Sequence, residues 1–179
     1  MLRAGQRLLL NEIMLFMEIV SMQPHHWDAV KDIYAMGIAT GNATFQSDIP
    51  SWEEWDQAHV DNSRLVAIED NKVLGWAALT AVSGRCVYAG VGETSVYVAA
   101  GARGKGIGKK LLTALIEESE QHNFWTLQAG IFPENTASIK IHEDCGFRII
   151  GKREKIGKMK GVWRDTLLLE RRSTVTGIN

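Results

Sequence analysis

The chain reads as one α/β domain built on a mixed sheet, and three observations predict it. Strand-like and helix-like periodicities alternate in the order β-α-α-β-β-β-α-β-α-β-β, with no repeat, low-complexity tract or Pro/Ser-rich linker. The segment Glu93 to Ile131 is strand, glycine loop, helix, strand. Such a crossover makes its two strands parallel. Hairpins on either side of it make the other neighbouring pairs antiparallel, so the sheet is mostly antiparallel with one parallel pair and helices flanking it.

Each element has its own signal. "MEIVSMQ" is a short first strand. "PHHWDAVKDIYAMGIATG" carries Pro24 at an N-terminal turn, then Trp27, Val30, Ile33, Tyr34 and Ile38 at helical spacing, with Gly41 as a stop. "SDIPSWEEWDQAHV" predicts a second helix, capped by Ser51 and with Glu54 completing a capping box. "RLVAIEDNKVLGWAALTAV" is two β-rich runs joined by a turn at Asp70–Asn71–Lys72, a hairpin. "ETSVYVAA" is a strand, and "GKKLLTALIEESEQH" is a helix whose apolar face is Leu111, Leu112, Leu115 and Ile116. "FWTLQAGIF" is a strand, "NTASIKIHEDCG" a short helix stopped by Gly146, and "FRIIGKREKIG" with "VWRDTLLLERR" a closing hairpin.

Composition narrows the function classes. The 179 residues are 45% hydrophobic and 23% charged, ordinary globular values, with a net charge of −1. That balance argues against bulk nucleic-acid binding, which needs a basic field. Cys86 and Cys145 form no CxxC pair, so reduced thiols in a cytoplasmic protein are expected, with no metal. Arg3 and Arg7 precede an apolar stretch, but Asn11, Glu12 and Glu18 interrupt it, and its longest run, Ile13 to Met17, is too short to span a bilayer. Residues 1–17 are therefore expected to be an N-terminal arm, 18–172 the domain and 173–179 a tail, with no membrane partner.

The chemistry-bearing motif is "YVAAGARGKGIGKKLL", Tyr97 to Leu112. Glycines and basic residues at a helix start suit an anion. A Walker loop is excluded: Arg103 stands where its first glycine belongs, and Lys110 replaces the Ser/Thr. The dinucleotide pattern fails because the loop reads Gly104–Lys105–Gly106–Ile107–Gly108. What remains is R-x-x-G-x-G, Arg103 to Gly108, directly before an amphipathic helix.

This segment resembles the acyl-CoA-binding stretch of the GNAT acetyltransferase superfamily. "NTASIKIHEDCGF" is similar to that family's second marker, in the same order and spacing. The resemblance narrows, over about residues 18 to 170, to the phosphinothricin and methionine sulfoximine N-acetyltransferases. It rests on "IATGNATFQSDIP", on "RCVYAGVGETSVYV" and on the closing "GKMKGVWRD". Two departures stand out. Gly90, Val91 and Gly92 are smaller or less polar than is common there and are expected to loosen the strand before Glu93. The usual hairpin lysine falls on Met159, between Lys158 and Lys160.

The resemblance implies acetyl-CoA as co-substrate, a small amino-acid-like acceptor and a homodimer; a peptide N-terminus or another amine as acceptor, and a non-catalytic acyl-CoA-binding sensor, are the alternative readings. It assigns the pyrophosphate to the loop, with Arg103, Gly104, Lys105, Gly106, Ile107, Gly108 and Lys109 as ligands. Val96, Tyr97 and Val98 would line the acyl arm, with the Val98 amide as oxyanion donor, and Asn135 and Ser138 would meet the pantetheine or the cofactor backbone. Glu93 is implied as general base, expected partly buried with a raised pKa. His142 stands where most of the superfamily has tyrosine, and is implied as a proton donor or a substrate contact. Arg85, Tyr88 and Phe45 are implied around the acceptor, Arg85 as bidentate partner of an acid group. Trp163 and Asp165 are expected to fix the hairpin or a dimer contact.

Overall fold

A computed structural model describes residues 17–178. Among them the chain forms seven strands and four helices. In chain order these are β1 (Glu18–Ser21), α1 (Trp27–Ala39), α2 (Trp52–Ala58), β2 (Arg64–Glu69), β3 (Lys72–Ala81), β4 (Val91–Val98), α3 (Ile107–Gln121), β5 (Thr126–Ile131), α4 (Thr136–Asp144), β6 (Arg148–Met159) and β7 (Val162–Arg172). The expected order is reproduced. The arm at 1–17 lies outside the described residues except for Met17, which packs on the core. No helix among the described residues is long and apolar enough to cross a membrane.

One sheet holds all seven strands in the order β1-β2-β3-β4-β5-β7-β6. Every neighbouring pair is antiparallel except β4–β5, the predicted parallel pair. The β2–β3 hairpin turns on Asp70 and Asn71, both at positive φ (51° and 60°), as a two-residue hairpin turn requires.

Strand alternation builds two cores. Leu65, Ala67, Ala77 and Leu79 face α3, where Leu111, Leu112 and Leu115 are fully buried. Each such leucine contributes at most roughly 1.5–3 kcal/mol of burial energy. Val66, Trp76 and Ala78 point the opposite way, toward Val30, Ile33, Tyr34 and Trp55 of α1 and α2. The capping box of α2 is present in full: the Glu54 amide donates to Ser51 Oγ, and the Ser51 amide donates to Glu54 Oε2 at 2.8 Å.

The expectation that Gly90 and Gly92 loosen β4 is overturned. Both are buried, and a Cβ on Gly90 would overlap the Trp125 ring while one on Gly92 would lie 3.2 Å from Phe124. These glycines let two aromatic rings close over the strand. Residues beyond β7 are also tied down: Ser173 is buried and donates to Glu120 Oε1 at 2.8 Å, and Gly177 packs on Trp125.

Candidate active site

The site begins where two strands part. β4 and β5 are in register only over Val91↔Thr126, Gly92↔Leu127 and Glu93↔Gln128. β4 stays paired with β3 as far as Val98. The bonds Val82 N–H to Val91 O and Ala99 N–H to Leu74 O show which residues face β3: the odd-numbered ones. The amides of the even-numbered residues therefore point toward β5. Beyond the fork, the Val96 and Val98 amides face no paired strand.

The loop after β4 supplies the second part. Gly104 and Gly106 both sit at φ +77°, left-handed backbone that glycine adopts without strain. Gly106 is the N-cap of α3 and offers no side-chain cap, so the first-turn amides of Ile107, Gly108 and Lys109 are left without a side-chain acceptor. A Cβ on Gly108 would press on Ile141 at 3.2 Å and lie 3.5 Å from Val98. The backbone of this turn is thus pressed against the end of β4. Arg103 Nε donates to the Val98 carbonyl at 3.4 Å, and Lys109 Nζ lies 3.7 Å from Asp144. Lys105 is exposed. These features fit a bound diphosphate: bare amides at a positive helix end, with basic side chains around them.

Glu93 stands at the fork, its Cα paired with Gln128. It is exposed, which corrects the expected partial burial. The reason lies across the strand pair: beside it on β5 is Gly130, also exposed, which has no side chain to cover it. Tyr97 shares Glu93's side of the strand. Its ring stacks on Trp76 at 4.7 Å and meets Tyr34, and burial pushes its hydroxyl well above the usual range. Tyr97 therefore offers the gap no polar group, since its side chain is buried and its amide and carbonyl face β3.

His142 is buried behind the fork. Its Nδ1 lies 2.8 Å from the Ser138 carbonyl and its Nε2 3.2 Å from Thr94 Oγ1, which also lies 3.2 Å from the Gln128 carbonyl. Nδ1–H donates to the Ser138 carbonyl, which leaves Nε2 as an acceptor; the single Thr94 hydroxyl proton is shared between Nε2 and the Gln128 carbonyl. Burial holds the imidazole below its usual pKa, against the raising effect of the Ser138 carbonyl. The Cys145 thiol lies against other groups, its Sγ 3.7 Å from Thr113 Oγ1.

Asn135 caps α4, its Oδ1 accepting from the Ser138 amide, while its Nδ2 donates to the Asn42 carbonyl at 3.2 Å. A hydrogen-bonded chain thus runs from the 41–45 loop through Asn135, Ser138 and His142 to Thr94. Arg164, which the sequence reading did not single out, fastens the same loop. It donates to the Gly41 carbonyl and to Asn42 Oδ1, pairs with Glu134 at 3.1 Å and lies 4.2 Å from the centre of the Phe132 ring. Phe45 meets Phe132 edge-on at 4.8 Å and covers Gly157.

Arg85 and Tyr88 come together on the turn before β4, the guanidinium 5.7 Å from the ring centre, and both are exposed. Phe45 is held on separate elements. Asp165 accepts from the Lys155 amide and pairs with Lys152, both at 2.8 Å, so it fixes a bulge in β6, as expected of the hairpin. Trp163 is 56% exposed under Lys158.

A mixed sheet that opens beside a strand-borne carboxylate and ends in a glycine loop defines an N-acyltransferase. The acetyltransferase (GNAT) family model matches residues 27–147, more than half of the chain, and the chain belongs to that family. It is 37% identical over 149 residues to the phosphinothricin N-acetyltransferase of Alcaligenes faecalis, across 80% of this chain and 76% of that one. It is 32% identical over 131 residues to the L-methionine sulfoximine/L-methionine sulfone acetyltransferase of Salmonella typhimurium, across 65% and 77%. The crystal structure of a GNAT superfamily phosphinothricin acetyltransferase from Sinorhizobium meliloti in complex with AcCoA superposes with a TM-score of 0.81. It is 26% identical, with 91% of each chain covered.

Proposed function

We propose that this chain acetylates the α-amino group of a small amino-acid analogue such as phosphinothricin, methionine sulfoximine or methionine sulfone. One observation carries the reading: Glu93 stands at the point where β4 leaves β5, with the Val96 and Val98 amides turned into the gap beyond it. Acetyl-CoA, when bound, supplies the activated acyl group and a thiolate leaving group. The loop Arg103 to Lys109 holds its diphosphate, and the backbone of Val96 and Val98, on either side of Tyr97, lines its acyl arm. Glu93 takes a proton from the acceptor ammonium, directly or through water; its exposure supports ready exchange with solvent. The Val98 amide meets negative charge on the acyl oxygen.

His142 enters this scheme as the group that fixes Thr94 at the fork: its neutral imidazole gives Nδ1–H to the Ser138 carbonyl and keeps Nε2 as an acceptor, so it holds no proton to pass on. Asn135 and Ser138 act through their backbone and through the cap that fixes α4. Arg85 and Tyr88 approach the acceptor from the turn before β4, and Phe45 walls it from the 41–45 loop. The names of the relatives support an amino-acid analogue as acceptor, and detoxification is the role we infer for such a reaction. The two unpaired cysteines, Cys86 and Cys145, support a cytoplasmic setting. The exposed apolar edge of β6 and β7 (Ile149, Ile150, Ile156, Val162 and Trp163) supports a homodimer.

The test is release of free thiol from acetyl-CoA with amino-acid analogues, peptides and polyamines as acceptors. Turnover is expected with methionine sulfone, methionine sulfoximine or phosphinothricin. Turnover confined to peptides or polyamines would overturn the reading.

A further inference from the structure

Arg153 lies on β6, at the sheet edge, where its Cα pairs with Thr166 of β7. Leu168, two residues along β7, pairs with Gly130 of β5, and Gly130 lies two residues beyond Gln128, the partner of Glu93. Side chains two apart on a strand share a face. Glu93, Gln128, Gly130, Leu168, Thr166 and Arg153 therefore stand on one face of the sheet.

The Arg153 arm reaches back across β7 over that face. Its Nη2 lies 3.0 Å from the point that a Cβ on Gly130 would occupy, and Glu93 Oε1 lies 3.5 Å from the same point. The guanidinium and the carboxylate thus converge on one missing side chain. Arg153 makes no ion pair among the described residues, although Arg148 and Lys152 on the same strand do. The bulge that follows Arg153 in β6 is locked by Asp165 through the Lys155 amide. Bulges near sites of this kind re-aim the side chains beside them.

A negative and a positive group facing each other over so short a gap call for a ligand with the opposite charges equally close. An α-amino acid carries its ammonium and carboxylate on one carbon. We propose that Arg153 takes the α-carboxylate of the acceptor while Glu93 takes its ammonium group, which makes Arg153 the residue that selects free amino acids over amides and peptide N-termini. This rests on the function proposed above. A distal phosphinate or sulfoximine head lies several bonds further out and is left to other groups, Arg85 among them. Guanidinium suits the task because it presents paired donors to a carboxylate.

Steady-state kinetics on methionine sulfone and on its α-carboxamide test the assignment in the wild type, Arg153→Gln and Arg153→Lys. Arg153→Gln is expected to raise KM for the free acid by about tenfold or more, to leave KM for the carboxamide unchanged and to move kcat less. Arg153→Lys is expected to recover part of the loss. If wild-type protein turns over methionine sulfone and Arg153→Gln keeps its KM, or if both acceptors suffer equally, the assignment is overturned and the proposed function stands. Loss of acetyl-CoA binding in Arg153→Gln, read by calorimetry, also overturns it, since the residue would then be structural. Wild-type turnover of other amines but of no free amino acid overturns the function and the assignment together.

Discussion

Glu93 is held in place by backbone rather than by partners of its own. Its Cα is paired on both sides, to Thr80 of β3 and Gln128 of β5, while its carboxylate is exposed over Gly130. Replacing it with glutamine leaves those pairings intact. Glu93→Gln is therefore expected to keep its acetyl-CoA affinity and to lose about 100-fold or more in kcat/KM, read by thiol release. Unchanged turnover would remove Glu93 from the role of base. His142 behaves differently because it is buried. Its folded pKa lies below the 6.5 of an unperturbed histidine, through burial. The same holds for His59, stacked on Trp55. Such groups bind a proton in the unfolded chain before they do in the folded one. Their contribution to stability is thus complete above the unfolded value and is lost as the pH falls below it. The melting temperature is expected to drop on acidification below about pH 6.5, and His142→Gln to show a shallower drop. An equal slope in both proteins would mean that His142 does not titrate with unfolding.

The elements that build the site differ in how much of them is written locally. The α2 cap is wholly local, since Ser51 and Glu54 are three residues apart and need nothing else to satisfy two amides. The β2–β3 turn is local for the same reason. The start of β4 is not. Gly90 and Gly92 look like weak points in a strand until Trp125 and Phe124, which follow α3, are seen to lie over them. Overpacking a filled site generally costs about 1–3 kcal/mol. Gly90→Ala is expected to destabilise the fold by about that much in urea titration and to lower activity by disturbing the strand that carries Glu93. A variant as stable as the wild type would show that the Trp125 ring moves aside freely. Asn135 shows the same division. Its place ahead of α4 is legible as a marker residue, whereas the bond from its Nδ2 to Asn42 joins two distant segments.

At the scale of the whole sheet, the described residues end at β6 with an edge to which none of them pairs. Its residues are exposed through most of their length, with Ile156 at 51% and Trp163, across the hairpin, at 56%. An exposed apolar edge strand is a pairing surface unless something covers it. A second copy of the chain is the occupant that the proposed homodimer supplies. Light scattering is expected to give the mass of two chains for the wild type and of one chain for Ile156→Glu combined with Trp163→Glu. A wild-type monomer would contradict the homodimer.

Element order, the parallel pair, the α2 cap and the glycine loop were all legible in the amino-acid order, because periodicity, capping and turn chemistry act over a few residues. So was family membership, through the loop and the "NTASIKIHEDCGF" segment. The exposure of Glu93, the fork that turns the Val96 and Val98 amides outward, the hold of Arg164 on the 41–45 loop and the approach of Arg153 to Gly130 were not. Each depends on the register between strands far apart in the chain, and register is set by how the two cores pack on opposite faces of the sheet. The sequence names the groups that carry the chemistry, and packing decides which of them face one another.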